Sequence, residues 1–244
     1  MEATRTRGCR QLRGTAAASF ALLVSLAAFA GEPGEGARPG GGNALGIGEP
    51  RAPETFTLEL RFLDAARRGD RATLERAILR GVSLETKDDL GRTALLLAAR
   101  DAGSLELVRF LREKGAAADV PDVAGRAALS FAAESGRLDL VRELAGYGAE
   151  TDRADGEQRT PLFFAVLGDH RETVEFLLGK GARVNAANQF GDTPLMMACA
   201  KGYGALAALL LARGADPSLR DQEGRTARDR SAPGTAACLA PQPS

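Results

Sequence analysis

The pattern of apolar and polar positions repeats along most of the chain with a fixed period. Five times, an acidic or amide residue is followed by two spacers, a Gly or its substitute, one spacer and a Thr or Ala. The Thr or Ala positions are Thr93, Ala127, Thr160, Thr193 and Thr226, so the steps are 34, 33, 33 and 33 residues. A fixed period of this length is typical of arrays of stacked structural units. The sequence therefore predicts a repeat array.

Two helices are predicted within each period. The first carries a pair of small residues that lets neighbouring helices approach closely, at Ala98-Ala99, Ala132-Ala133, Ala165-Val166 and Ala198-Cys199. The second has apolar residues at helical spacing, as in Leu138, Val141 and Leu144. It is followed by Gly-Ala, where Gly suits the left-handed end of a helix. Each unit is predicted to be helix, turn, helix and a projecting turn that contains the acidic residue.

These residues resemble ankyrin repeats. The resemblance rests on Gly-Asp-Thr-Pro-Leu at 191–195 followed by Ala198, and on Thr-Pro-Leu at 160–162 followed by Ala165. It extends over about residues 58 to 231 and implies an all-α solenoid of stacked helix-turn-helix units with projecting β-turn loops. Among members of that family, the chain is similar to exported bacterial ankyrin-repeat proteins.

The sequence departs from the family pattern at three kinds of position. The His that usually follows Thr-Pro-Leu is replaced by Leu96, Ser130, Phe163 and Met196. One extra residue lies around 101–103, and Gln158 stands where the other turns have Gly. We expect these changes to lower stability without altering the fold, and the turn at Asp155 to be the least regular.

Before the repeats, the chain has the pattern of a secretory signal peptide. Four Arg residues precede an uncharged run from Thr15 to Ala30 that ends in Ala-Phe-Ala. Because the run of 16 residues is shorter than the roughly 20 needed to span a bilayer, we expect cleavage after Ala30 and no stable membrane anchor.

The predicted organisation has four parts. Residues 1–30 form the signal peptide, and residues 31–53 form a disordered linker rich in Gly and Pro. Residues 54–231 form the repeat array, and residues 232–244 form a tail. The array divides into units at about 58–88, 89–122, 123–155, 156–188 and 189–221, with a partial C-terminal cap at 222–240 that overlaps the start of the tail.

Composition excludes several kinds of function. The 32 basic and 32 acidic residues become 28 and 31 when the four Arg and one Glu of the signal peptide are removed, and such a surface does not favour nucleic acid. His170 is the single His and falls at a structural position of the family. No phosphate-binding Gly loop, CxxC pair or HExxH motif is present. We predict no enzymatic activity, no cofactor and no metal site.

Two Cys residues remain after signal removal, and two interpretations of them stay open. Cys199 falls at a small-residue position of a predicted helix, which favours a buried apolar role. Alternatively, Cys199 and Cys238 pair as a disulfide that clamps the terminal cap in an oxidising compartment.

Function is therefore expected from surface shape. The resemblance implies that the projecting turns and the exposed face of the first helices form a concave strip that binds another protein. The candidate residues are Leu90, Arg92, Val123, Arg126, Glu157, Arg159, Gln189, Phe190 and Asp192 in the turns and Tyr147 at a second-helix end. Leu90, Val123 and Phe190 stand out because they are apolar at positions where polar residues are expected.

We expect a monomeric protein-protein interaction module that its signal peptide exports to the periplasm of a bacterium. The composition rich in Ala, Arg and Gly suggests a GC-rich genome, which gives weak support to the bacterial origin. The alternatives are a secreted effector, or a regulatory or stabilising subunit of a periplasmic enzyme.

Overall fold

Residues 53–232 fold into successive pairs of short helices. A computed structural model describes these residues, with side-chain environments from residue 57 onward, while the predicted signal peptide and most of the linker and tail lie outside this range. Within it, the secondary structure is ten α-helices, one π-helical turn and an isolated bridge between Lys87 and Thr93. The helices are α1 (Pro53–Arg68), α2 (Arg71–Leu79), α3 (Ala94–Leu97), α4 (Leu105–Glu113), α5 (Ala128–Glu134), α6 (Leu138–Gly146), α7 (Pro161–Leu167), α8 (Arg171–Gly179), α9 (Pro194–Lys201) and α10 (Gly204–Ala212).

The helices form two layers with the core between them. Helices α5, α7 and α9 contact one another in order in the first-helix layer, and α4, α6 and α8 do so in the second-helix layer. Fully buried Ala132, Ala165 and Ala198 allow the close approach in the first layer. Leu residues of the second layer fill the space between the layers. The predicted all-α solenoid is confirmed.

The Thr residues of the repeat motif start the first helices. The Oγ1 atoms of Thr93, Thr160 and Thr193 each accept a hydrogen bond from the backbone N–H three residues on. This is the usual role of Thr at a helix N-cap. Ala127 has no side-chain oxygen that could accept such a bond, so α5 begins without a side-chain cap.

The departures from the family pattern are absorbed locally. The four residues in place of the family His are all buried. The extra residue forms a π-helical turn, Ala98–Ala102, which Gly103 closes with φ of 56°. A single inserted residue is the usual origin of such a turn. Helix α4 then begins normally at its N-cap Ser104.

A single turn closes the C-terminal end of the described array. The backbone N–H and Oγ1 of Thr226 each lie 2.8 Å from Asp229 Oδ2, and Ala227 is buried. The N–H of Ala232 donates to the carbonyl of Cys199 over 3.0 Å, so the chain returns to α9. No helix in residues 53–232 is long and apolar enough to cross a membrane.

Candidate partner-binding surface

Each projecting turn is held by its leading side chain. In the turn at Asp155, Oδ1 accepts hydrogen bonds from the N–H groups of Glu157 (2.9 Å) and Arg159 (2.8 Å). The carbonyl of Asp155 accepts from the N–H of Gln158 at 2.9 Å. The same three bonds occur in the turns that begin at Asp88, Asp122, Asn188 and Asp221. A short Asp or Asn side chain can satisfy its own turn in this way.

Backbone hydrogen bonds also join each turn to the next. The N–H of Val123 donates to the carbonyl of Leu90 at 2.9 Å, and equivalent bonds run from Gly156 to Ala124, from Gln189 to Glu157 and from Gln222 to Phe190. We call this series the turn ladder. Because every tip is bonded both within its turn and to a neighbour, the backbone that carries the exposed side chains is held in place.

Close approach along the turn ladder explains the Gly in the motif. Gly125 has φ of 80°, and a Cβ added there would lie 2.8 Å from the backbone nitrogen of Gly156. Gln158 stands at the same position of the next turn and adopts φ of 61°. Its turn keeps all the bonds of its neighbours, so the irregularity expected at Asp155 is absent. The substitution instead leaves a non-Gly residue in a left-handed conformation, which is unfavourable for a side chain.

Gln158→Gly is expected to raise the free energy of unfolding by about 1 kcal/mol because it removes this left-handed strain. The reverse change at the same position of the preceding turn, Gly125→Gln, is expected to destabilise because it adds both strain and the close contact with Gly156. Urea unfolding followed by circular dichroism measures both. Equal midpoints for Gln158→Gly and the wild type would contradict the strain.

The three apolar tips are all exposed, but they form two separate groups. Leu90 is 49% exposed, Val123 72% and Phe190 54%. Leu90 and Val123 are neighbours on the turn ladder, whereas the turn with Glu157 separates them from Phe190. The structure therefore brings together one apolar pair and places Phe190 at a second point on the same edge.

Three Arg candidates are largely engaged within the chain. Arg92 pairs with Asp88 at 2.7 Å, and Arg159 pairs with Asp155 at 2.8 Å. The guanidinium of Arg126 lies 3.8 Å from the ring centroid of Phe131 and 4.1 Å from that of Phe164, and it pairs with Glu134. These contacts leave little of the three side chains to meet a partner, and they hold the turns instead.

Asp192 also forms an ion pair within the chain, but here the residue of the turn is the acid and its partner is the Arg. It stands where the other turns have Arg, and Arg230 of the closing turn pairs with it and lies 3.4 Å from Asp221. Arg230 is not among the residues predicted from the sequence. The repeat alignment nevertheless contains a clue. At this position four turns have Arg and only this turn has an acid, Asp192, so a basic side chain from another part of the chain could be expected to pair with it.

The remaining candidates lie on two different surfaces. Glu157 and Gln189 are exposed at the tips. Tyr147 caps the end of α6 in the second-helix layer, where the guanidinium of Arg112 lies 5.1 Å from its ring centroid. The exposed tip surface consists of Leu90, Val123, Glu157, Gln189 and Phe190, and we call it the tip edge.

Comparison with known proteins agrees with the helix pairs and turns. The family model described as ankyrin repeats (3 copies) matches residues 62–155 and 138–221, which together make up about two thirds of the chain. The chain belongs to the ankyrin-repeat family. Ankyrin repeats are protein-protein interaction modules and are typically non-enzymatic. No curated protein matches the chain.

The first turn of the ankyrin array holds its Asp in the ionised form. Burial by itself raises the pKa of Asp88, but hydrogen bonds from the side chain and N–H of Arg92, from Arg67 and from the N–H of Leu90 outweigh it and lower the pKa to about 2. The ordinary value is 3.8. A carboxyl whose pKa falls on folding stabilises the fold above its unfolded pKa, and this contribution is lost as pH falls towards the folded pKa.

We expect Asp88→Asn to be less stable than the wild type at pH 7 and to converge with it as pH falls from about 4 to 2, the window set by the two pKa values of Asp88. Asn keeps the acceptor for the turn N–H groups, as Asn188 does naturally, so the variant isolates the charge. Thermal unfolding across this pH range is the measurement. A difference that stays constant with pH would show that the charge does not matter.

His170 has a packing role between two ankyrin units. Its Nε2 lies 2.9 Å from the carbonyl oxygen of Glu134, and a Cβ on either Gly136 or Gly168 would overlap its ring. Within residues 53–232, no three His, Cys, Asp or Glu side chains are grouped so that they could hold a metal ion.

Cys199 is fully buried in α9 and is disulfide-bonded. Cys238 lies outside the described residues, so its pairing with Cys199 stays a prediction.

Proposed function

We propose that this ankyrin-repeat protein is a non-enzymatic interaction module that is exported to the bacterial periplasm and binds its partner through the tip edge. The observation that supports it most strongly is the exposure of three apolar side chains on a backbone that two sets of hydrogen bonds hold fixed. A backbone that is already held in place loses little conformational freedom on binding, and this favours affinity.

The two apolar points differ in their surroundings. Leu90 and Val123 form a pair next to exposed Lys87 and Asp89, and Phe190 lies beside exposed Gln189. Apolar residues ringed by polar ones are the usual form of an interface anchor. A partner that contacts both points would present two apolar patches to the tip edge.

A photo-crosslinking experiment tests the surface. A crosslinking amino acid placed at Val123 or Phe190 should join the partner in cells, whereas one at exposed Glu172 of α8, in the second-helix layer, should not. Crosslinking from Glu172 alone would show that the partner binds the other layer.

Once the partner is identified, Phe190→Ala is expected to weaken binding by about 2 kcal/mol, or roughly 30-fold. Because Phe190 is half exposed, thermal stability should stay nearly unchanged. Calorimetric titration gives the affinity, and Leu79→Ala is the matched control. Leu79 is an 85% exposed apolar residue on α2, and its loss should leave binding intact. Unchanged binding in Phe190→Ala together with a lower melting point would assign Phe190 to packing.

Export itself is tested by fractionation. Detection of the processed chain in osmotic-shock fluid supports periplasmic residence, and detection in the culture medium supports the secreted alternative. Recovery of the uncleaved chain in the cytoplasmic fraction would contradict both.

A further inference from the structure

A groove lies between α2 and α4, the first two helices of the second-helix layer. It has a volume of about 240 Å³ and is lined by Glu75, Ile78, Leu79, Phe110 and Lys114. Helix α2 lies less closely against α4 than α4 does against α6, and this looser seam leaves the space. Leu79 is the most exposed of the large apolar side chains in residues 57–232. The groove therefore has an apolar wall that is open to solvent.

The ring of Phe110 forms the buried side of the groove. The guanidinium of Arg71 lies 4.7 Å from the ring centroid, and the ammonium group of Lys114 lies 5.7 Å from it. Arg71 is already paired with Glu75 and with Glu106, each at 3.0 Å. At the end of the groove near Arg71, the charges of the chain thus satisfy one another.

The other end of the groove carries positive charge that the described residues do not neutralise. Lys114 is the exposed C-cap residue of α4 and has no carboxylate partner in residues 57–232. Arg80 is the exposed C-cap residue of α2 and has none in that range either. A cation at the C-terminal end of a helix interacts favourably with the helix dipole, but that role does not require an apolar wall beside it. Both cations can also bind an acidic group from outside the chain.

The seam between α6 and α8 has the same cation without the same walls. Phe176 and Lys180 occupy the corresponding positions of α8, and the ammonium group of Lys180 lies 5.7 Å from the ring centroid of Phe176. Ala145 and Gly146 of α6 stand where α2 has its two apolar side chains. Of these two seams, the one between α2 and α4 combines an unpaired cation with apolar walls.

The volume and the charge of the groove indicate what kind of ligand fits it. Pockets that enclose a whole small molecule have volumes of roughly 300–1,000 Å³, and about 240 Å³ is below this range. The space suits one large apolar side chain that belongs to a larger ligand, which is the usual form of an anchor at a protein interface. An acidic residue beside that anchor would meet Lys114.

We propose that the groove between α2 and α4 is a second binding site, and that it takes a protein segment with a large apolar side chain next to an acidic one. The apolar side chain fills the space between Leu79 and Phe110, and the acidic one pairs with Lys114. The site shares no residue with the tip edge, so it does not depend on the function proposed above. One molecule of this protein can therefore hold two proteins at once.

Peptide selection from a random display library against the purified full chain tests the site. The enriched peptides are sorted by whether Leu79→Ala or Phe190→Ala abolishes their binding. The expected result is a group that depends on Leu79 and shares an apolar residue beside Asp or Glu. A selection without such a group would overturn the proposal, and peptides that depend on Phe190 alone would at the same time support the tip edge.

The affinity of one peptide from that group is then measured by fluorescence anisotropy. Leu79→Ala should weaken binding by about tenfold or more. Lys114→Ala should weaken it by about two- to fivefold and make it less sensitive to salt. Both side chains are exposed, so the melting temperatures of the variants should stay close to that of the wild type. An affinity that neither change lowers would overturn the proposal.

Two further changes test the charge. Lys114→Glu should prefer a peptide whose acidic residue is replaced by Lys, which reverses the preference of the wild type. Lys180→Ala is the matched control, because it removes a C-cap cation that lies over a Phe ring in the same way, and it should leave the affinity unchanged. Equal losses in Lys180→Ala and Lys114→Ala would show non-specific attraction and overturn the site. Leu79-dependent binding to vesicles of anionic phospholipid, without binding of any peptide, would assign the groove to a membrane surface instead.

Discussion

Asp155→Ala is expected to lower the free energy of unfolding by about 3 kcal/mol, since it breaks a buried ion pair and leaves turn donors unsatisfied. The Asp155 side chain is almost completely buried. It accepts from the N–H groups of Glu157 and Arg159 and from the guanidinium of Arg159. Alanine replaces none of these bonds, so the turn loses the group that shapes it.

The matched control for this change is Asp155→Asn. Asn keeps an oxygen for the two backbone donors, as Asn188 does one unit later, and removes only the charge that faces Arg159. We expect a loss of about 1 kcal/mol for Asn, the scale of a single net hydrogen bond. Urea unfolding followed by circular dichroism suits both variants because the chain has no Trp. Equal losses for Ala and Asn would assign the whole effect to the ion pair.

Arg126→Ala is expected to lower the free energy of unfolding by about 3 kcal/mol, because the guanidinium lies over two aromatic rings and the side chain is mostly buried. Phe131 belongs to α5 and Phe164 to α7, so the stack joins two successive units. The Arg126 side chain is only 15% exposed. Its loss would therefore open a contact between units as well as a surface ion pair.

Two further variants separate stacking from charge. Arg126→Lys keeps the charge, but an ammonium group cannot lie flat on two rings, so we expect little recovery in the urea midpoint. Arg100→Ala removes the other guanidinium near Phe131, which lies 5.2 Å from the ring centroid and is more exposed. That change should cost less than about 1 kcal/mol. Full recovery by Lys would sink the stacking explanation.

The repeat motif allowed most of the fold to be predicted from sequence because one local arrangement recurs five times. The Thr positions predicted the starts of α3, α7 and α9, since Thr caps its own helix through an oxygen only three residues from its target. Gln158 was found as a departure in the same way. The irregular turn expected at Asp155 is absent, because the bonds from Asp155 keep it regular, whereas the expected loss of stability stays a prediction that the left-handed Gln158 supports.

Contacts between units could not be predicted from one unit's sequence. Arg126 was assigned to the partner-binding strip because it follows a projecting turn, but its environment is made by rings on α5 and α7. Arg230 was missed because its partners, Asp192 and Asp221, belong to two earlier turns. In both cases, the distance between the Arg side chain and its partners depends on how the units stack.

The apolar tips were found from sequence, but their grouping was not. Leu90 occupies the third position of its turn and Val123 the second, so their offsets alone do not show that they are neighbours. The bond from the N–H of Val123 to the carbonyl of Leu90 brings them side by side.

The turn ladder sets a fixed spacing between the contact points that it offers to a partner. Hydrogen bonds between successive turns set the interval from the Leu90 and Val123 pair to Phe190, and the turn at Asp155 supplies a fixed part of that interval. Deleting one 33-residue unit between the two points would shorten the interval by one whole step while leaving every apolar side chain in place. A partner whose two contacts fit the original distance would then bind either the Leu90 and Val123 pair or Phe190, but not both at once. Its bivalent contact would become monovalent.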